Sequence, residues 1–211
     1  MEFNITNTAV YGIERSIVCS GNSYRTELRT EGDLNDKDNL RADRLGAVPV
    51  GSGHDSFLNG IVVTMDVTAP LYWWKQAQRY HWLEFISSQS TMHCVTKFNI
   101  ADRCVNAVEP AIINIVQKMV DQFNDQTQYI KDNPELVTDE YKQHHNELWQ
   151  KIIASLPCGF CLSATMTTNY RQIKTMCLQR KGHKLGEWAK FIDWAVNDLP
   201  RFSELTGINN L

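Results

Sequence analysis

The sequence predicts an α+β fold: a small, mostly antiparallel sheet with a helix-rich second half. Three observations carry this reading. Residues 61–68 alternate, with Ile61, Val63, Met65 and Val67 on one face and Thr64, Asp66 and Thr68 on the other, the period-two signature of a half-buried strand. Behind Pro110, the residues Ile112, Ile115, Val116, Met119 and Phe123 recur at three- and four-residue spacing, as on a helix with one apolar face. Further helical stretches run from Thr138 to Leu156, from Thr168 to Gln179 and from Leu185 to Asp198, the last closed by Pro200.

The elements follow in order. Residues 1–45 are polar and punctuated, by Ser20-Gly21-Asn22-Ser23 and by the mixed-sign charged run Glu31 to Arg44, and read as a solvated loop or short helix. Ala47 to His54 is rich in turn formers. After the alternating strand, Pro70 stops the ladder and suits the first turn of a helix expected from Leu71 to Glu84. On that helix Gln76 and Arg79, three apart, share a face. A second strand is expected at Cys94 to Phe98, and the whole chain, 1–211, reads as one domain without internal repeats.

Composition narrows the function. With 211 residues, 43% hydrophobic and 21% charged, the chain is too apolar for disorder and long enough to bury a core. No stretch approaches the ~20 apolar residues of a membrane span. The opening Met1-Glu2-Phe3-Asn4 has neither basic nor apolar signal regions, so no secretory leader is expected. A net charge of −3 argues against a general nucleic-acid binder, which needs a cation surplus to neutralise phosphates, but leaves room for a small anionic ligand held by a local cluster of cations. Six scattered cysteines without a leader point to reduced thiols and a cytoplasmic location. Cys158-Gly159-Phe160-Cys161 is the one CxxC; packed thiols, a metal half-site and a redox pair are its three readings.

Two regions combine cations, polar groups and turns. One runs from Gly53 through His54, Ser56, Gln76, Arg79, Tyr80 and His81 to the segment Ser87–His93. The other joins Asn169-Tyr170-Arg171 to Arg180-Lys181-Gly182-His183-Lys184. Asn169 stands at a helix start, where free backbone N–H groups favour an anion, and Arg180 lies eleven residues on, about 16 Å along the axis. The plainer readings are a basic last turn complementing the helix dipole for 180–184 and a polar loop for 87–91.

Taken in order, these pieces resemble the flavin-dependent thymidylate synthases. The turn Gly53-His54-Asp55-Ser56, the strand Ile61 to Pro70 and the helix segment Gln76-x-x-Arg79 follow that family's linear pattern. Leu156-Pro157, Asn169-x-Arg171 and Arg180 continue it, so the resemblance covers residues 50–195. It departs where the family reads Arg-His-Arg and this chain Arg79-Tyr80-His81. In the following segment Gln89 replaces a carboxylate and His93 replaces an arginine; ahead of Leu156-Pro157, Ile153 stands where an arginine is usual.

The resemblance implies a thymidylate synthase-like fold and reductive methylation of dUMP to dTMP, with FAD as cofactor and NADPH and methylene-tetrahydrofolate as co-substrates. It implies that His54, Ser56, Arg79, Tyr80, His81, Asn169 and Arg171 contact FAD. Gln76, Arg79, Ser88, Gln89, Ser90 and Arg180 would hold dUMP, with Arg180 the catalytic cation beside the pyrimidine. It further implies a homotetramer with sites at subunit interfaces, no metal and no attacking cysteine. The departures leave a second reading, a flavin- or nucleotide-binding homologue with lost or altered activity on another pyrimidine nucleotide.

Overall fold

A computed structural model describes residues 1–209; the last two residues of the expected single-domain span lie outside the described residues. In chain order the elements are β1 (Asn4–Tyr11), α1 (Ile13–Cys19), α2 (Asp36–Gly46), β2 (Val62–Pro70), α3 (Leu71–Ala77), β3 (Glu84–Ser88) and α4 (Thr91–Cys94). They continue with α5 (Ile100–Arg103), α6 (Pro110–Asp132), α7 (Asp139–Ser155), β4 (Cys161–Asn169), α8 (Tyr170–Arg180), α9 (Gly186–Asp198) and α10 (Phe202–Thr206). The strands form one antiparallel sheet in the order β1-β2-β4-β3. The α+β class and the helix-rich second half are thus as the sequence predicts.

The described residues fall into two compact units: residues 1–3, 68–75 and 88–164 in the first, residues 4–67, 76–87 and 165 onward in the second. The first is built on the antiparallel pair α6 and α7. Its core joins Val116 and Val120 of α6 to Leu148 and Ile152 of α7, with Val95, Ile100, Cys104 and Phe160. Thr138 caps α7, its Oγ1 accepting the Tyr141 N–H at 3.2 Å. The predicted stripe of α6 is turned from its expected direction: Val116 is buried, but Ile112 and Ile115 are exposed.

In the second unit the alternating face of β2 is the one the sequence marks. Ile61, Val63, Met65 and Val67 are each no more than 1% exposed, about 1.5–3 kcal/mol of burial apiece. Helix α8 packs on α9 and α10, and α10 packs on α2. Gly46, at the end of α2, has no room for a side chain, since an added Cβ would meet the Leu205 carbonyl oxygen.

Three expectations are corrected, and one further strand has no counterpart in them. The region 1–45 is not loop alone: it contributes the edge strand β1, whose polar sequence hides it, besides the expected short helix α2. Helix α3 stops at Ala77, seven residues early, because the chain turns through Trp82 at a positive φ of 68° to enter β3. Cys94 to Phe98 is not a strand; the Ser90 carbonyl accepts the N–H groups of His93 and Cys94 and winds α4, followed by a 3₁₀ turn at Val95–Lys97. The strand of that region is β3, where all five residues are exposed and no buried face shows a period. Finally, residues 161–169 form β4, with Cys161, Ala164, Met166 and Thr168 buried; one serine and three threonines interrupt its few apolar residues, so the hydrophobic signal is weak.

Candidate functional site

Helix α8 carries both ends of the candidate site in the second unit. Asn169 is its N-cap, with Oδ1 accepting the Gln172 N–H at 3.0 Å, so the side-chain oxygen is committed to the helix. Two residues on, Arg171 donates from Nε to Asp55 Oδ1 at 3.0 Å. Asp55 is fully buried and its second oxygen takes Lys174 Nζ at 3.2 Å. Lys174, itself 2% exposed, also donates to the carbonyls of Gly46 and Val48, each at 2.6 Å. A buried carboxylate between two cations fastens the turn 46–56 onto α8.

On that turn His54 and Ser56 are both exposed, and Ser56 Oγ donates to the Gly53 carbonyl at 2.6 Å. Both line a cavity of about 460 Å³ whose other walls include Cys19, Ser20, Tyr24 and Phe57. The volume lies within the range of small-molecule sites. Asp55 points away from it and holds the turn in place. The cavity walls from α1 and the segment after it, above all Cys19 and Tyr24, cannot be found from the sequence, because that region carries no motif.

At the far end of α8, Arg180 is the centre of a second cluster. Its Nε donates to Tyr80 Oη at 2.7 Å and its Nη1 to Gln76 Oε1 at 3.2 Å. The guanidinium carbon stands 4.5 Å from the Trp188 ring centroid and 5.2 Å from that of Tyr80, so the cation lies against both rings, which themselves meet edge-to-face with centroids 5.8 Å apart. Trp188 Nε1–H donates to the same Gln76 Oε1 at 2.9 Å. The structure therefore brings together Gln76, Tyr80 and Arg180, three of the candidate residues of the sequence, and adds Trp188. The period of α9 reads Trp188 as core, which it also is; its polar contact is tertiary.

Arg79 and His81 flank this cluster in sequence but are exposed, and neither donates or accepts a side-chain hydrogen bond among the described residues. With α3 ending at Ala77, Arg79 lies in a turn, its N–H bonded to the Gln76 carbonyl at 3.2 Å, and does not share a helix face with Gln76.

The segment 88–90 belongs to the first unit. Ser88 is the exposed end of β3 and Ser90 caps α4. Gln89 is occupied on both sides: its N–H donates to the Ser163 carbonyl at 2.9 Å, and its Oε1 accepts the Ser163 N–H at 3.0 Å and Arg103 Nη2 at 2.8 Å. Arg103 lies with its guanidinium carbon 4.1 Å from the Phe98 ring centroid. The CxxC forms the turn into β4. Cys158 is exposed and Cys161 buried, the Phe160 N–H closes on the Pro157 carbonyl, and an added Cβ on Gly159 would strike Val105 and Val108. Among the described residues no three His, Cys, Asp or Glu side chains gather as a metal site, and no helix is long and apolar enough to cross a membrane.

No protein-family model matches the sequence. No curated protein matches it either. Solved structures do. A flavin-dependent thymidylate synthase ThyX from Helicobacter pylori, crystallised with FAD and dUMP, superposes with a TM-score of 0.67 at 12% identity, covering 98% of this chain and 97% of that one. A second structure of the Helicobacter pylori enzyme, also with FAD and dUMP, gives 0.66 at 11% identity over the same shares. The chain has the fold of a flavin-dependent thymidylate synthase along almost its whole length.

Proposed function

We propose that this protein binds a flavin nucleotide and a pyrimidine nucleotide and performs reductive methylation of dUMP to dTMP, as a divergent flavin-dependent thymidylate synthase. The observation that carries the reading is the convergence of Gln76, Tyr80 and Arg180. Arg180 lies about a hundred residues from the other two in sequence, yet all three meet in one hydrogen-bonded cluster. The fold shared with enzymes solved with FAD and dUMP supports it.

The residues fit the two ligands. FAD, where bound, supplies the redox chemistry, taking reducing equivalents from NADPH, while methylene-tetrahydrofolate supplies the carbon. His54, Ser56 and the cavity they line, with the Asn169 amide N–H groups and the guanidinium nitrogens that Arg171 does not give to Asp55, offer the hydrogen-bond donors that a dinucleotide needs. Arg180 keeps Nη2 uncommitted. A guanidinium fixed by Tyr80, Gln76 and Trp188 can stabilise negative charge developing on a pyrimidine ring without reorganising. In this reading Arg79, His81 and Ser88 contact ligand from their exposed positions, and the working form is a cytoplasmic homotetramer with sites at subunit interfaces.

The test is direct. Purified protein should carry or take up FAD, seen as flavin absorbance, and should release tritium from C5-labelled dUMP when FAD, NADPH and the folate are present. Light scattering should read a tetramer's mass. Arg180→Ala should cut turnover by about a hundredfold or more, as expected when a preorganised donor to developing charge is removed. Failure to bind FAD at all would sink the proposal.

One observation favours the second reading, a nucleotide-binding homologue with altered activity. Gln89, in place of the expected carboxylate, has its side-chain oxygen committed to the Ser163 N–H and Arg103, so it does not offer a ligand the acceptor a carboxylate would. Flavin uptake and dUMP binding without tritium release would select that reading.

A further inference from the structure

Gln76 Oε1 has two lone pairs and two donors on them, Arg180 Nη1 at 3.2 Å and Trp188 Nε1 at 2.9 Å. Neither donor has an alternative role: a guanidinium and an indole N–H donate and never accept. The two together therefore fix the orientation of the amide more firmly than either would alone, since a half-turn about its last bond would set the NH₂ group against both donors. The oxygen faces inward. The Nε2 group meets no acceptor among the described residues, and Gln76 is half-buried, so this face is open to a ligand. Arg180 presents donors as well, and Tyr80, whose oxygen already accepts from Arg180 Nε, has its own O–H to give.

From this geometry we infer that Trp188 is a positioning residue that makes the Gln76–Arg180 cluster a donor-only surface, selecting a pyrimidine with a carbonyl at its reading edge, uracil, over one with an exocyclic amine, cytosine. The inference rests on the proposed pyrimidine-nucleotide site and adds the source of its selectivity. A cytosine amine facing the Gln76 NH₂ sets donor against donor. Turning the amide to accept it would set Nε2 against both Arg180 and Trp188. Without the indole N–H only one of those two penalties remains.

The test is equilibrium binding of dUMP and of dCMP to the full chain by calorimetry, in the wild type, in Trp188→Phe and in Gln76→Glu. The wild type should prefer dUMP. Trp188→Phe keeps an aromatic ring beside Arg180 and removes the N–H; the dUMP-to-dCMP preference should fall about tenfold, the worth of one hydrogen bond. Gln76→Glu keeps the size, still accepts from both inward donors and has no proton to offer, so the preference should reverse toward dCMP. A purely structural role for Trp188 would lower both affinities in proportion and leave the ratio where it was. If the ratio is unchanged in Trp188→Phe, or if Gln76→Glu still prefers dUMP, the inference is wrong while the nucleotide site stands. A wild type that binds neither nucleotide removes the site and the inference together. Trp188 is fully buried; if Trp188→Phe does not fold, the Gln76→Glu ratio decides alone.

Discussion

Two buried carboxylates fix the framework of the second unit, and each makes a prediction. Asp55, fully buried, is the anion shared by Arg171 and Lys174. Removing one member of a buried ion pair leaves the others uncompensated. Asp55→Asn should therefore lower unfolding free energy by about 3–5 kcal/mol in denaturant titration and also weaken FAD uptake, because the turn bearing His54 and Ser56 loses its anchor. Asp38, 1% exposed, is ringed by Arg25 at 2.6 Å, Arg29 at 3.0 Å and Arg41. Burial pushes its carboxyl upward, but the hydrogen bond from Arg41 and the charges of all three arginines outweigh it, and the net shift is below the ordinary range. The unfolded chain then binds the proton more readily than the folded one, so stability rises with pH across the window between the two values. The contribution of Asp38 is full above the unfolded value of about 4 and is lost as pH falls through the lower folded value. Melting temperature should drop below about pH 4, and Asp38→Asn should flatten that acid limb while lowering the plateau at neutral pH.

Among the secondary-structure elements, legibility follows the source of each one's stability. Strand β2 is readable because water lies on one side and the core on the other, and the alternation records it. Helices α7, α8 and α9 are readable from period and from caps such as Thr138 and Asn169. Strands β1, β3 and β4 are not. Their pairing is held by backbone bonds to strands remote in sequence, and their side chains are mostly polar or exposed, with few apolar residues to mark a buried face. The end of α2 shows the same dependence on distant chain. Gly46 is required because an added Cβ would collide with the Leu205 carbonyl oxygen, a contact with α10 that no local pattern foretells. Gly46→Ala, favourable for an isolated helix, should instead destabilise the folded protein by about 2 kcal/mol or more, the scale of overpacking, read as a lowered midpoint with unchanged m-value.

Across the molecule as a whole, the six thiols give a simple global probe. None is in a disulfide: Cys158 is exposed, Cys19 and Cys94 half-buried, and Cys104, Cys161 and Cys177 buried. Burial pushes the Cys177 thiol up to about 12 and also raises that of Cys104, so neither supplies thiolate near neutral pH. With a thiol-reactive chromophore the native protein should label first at Cys158, and Cys104, Cys161 and Cys177 should react only on unfolding. Addition of reductant should leave the melting temperature unchanged.

Periodicity and spacing are local properties, and from them alone follow the fold class, the buried face of β2, the caps of the later helices and an ordered set of polar residues that includes Gln76, Tyr80 and Arg180. What these residues do to one another depends on the folded chain. Gln89 looks in sequence like a ligand contact and is bonded within the protein, while Trp188 looks like core and orients Gln76. A hydrogen bond between residues a hundred positions apart leaves no trace in either one's neighbours. Which polar groups are spent on the protein, and which remain for a ligand, is therefore settled by the tertiary contacts and by nothing shorter in range.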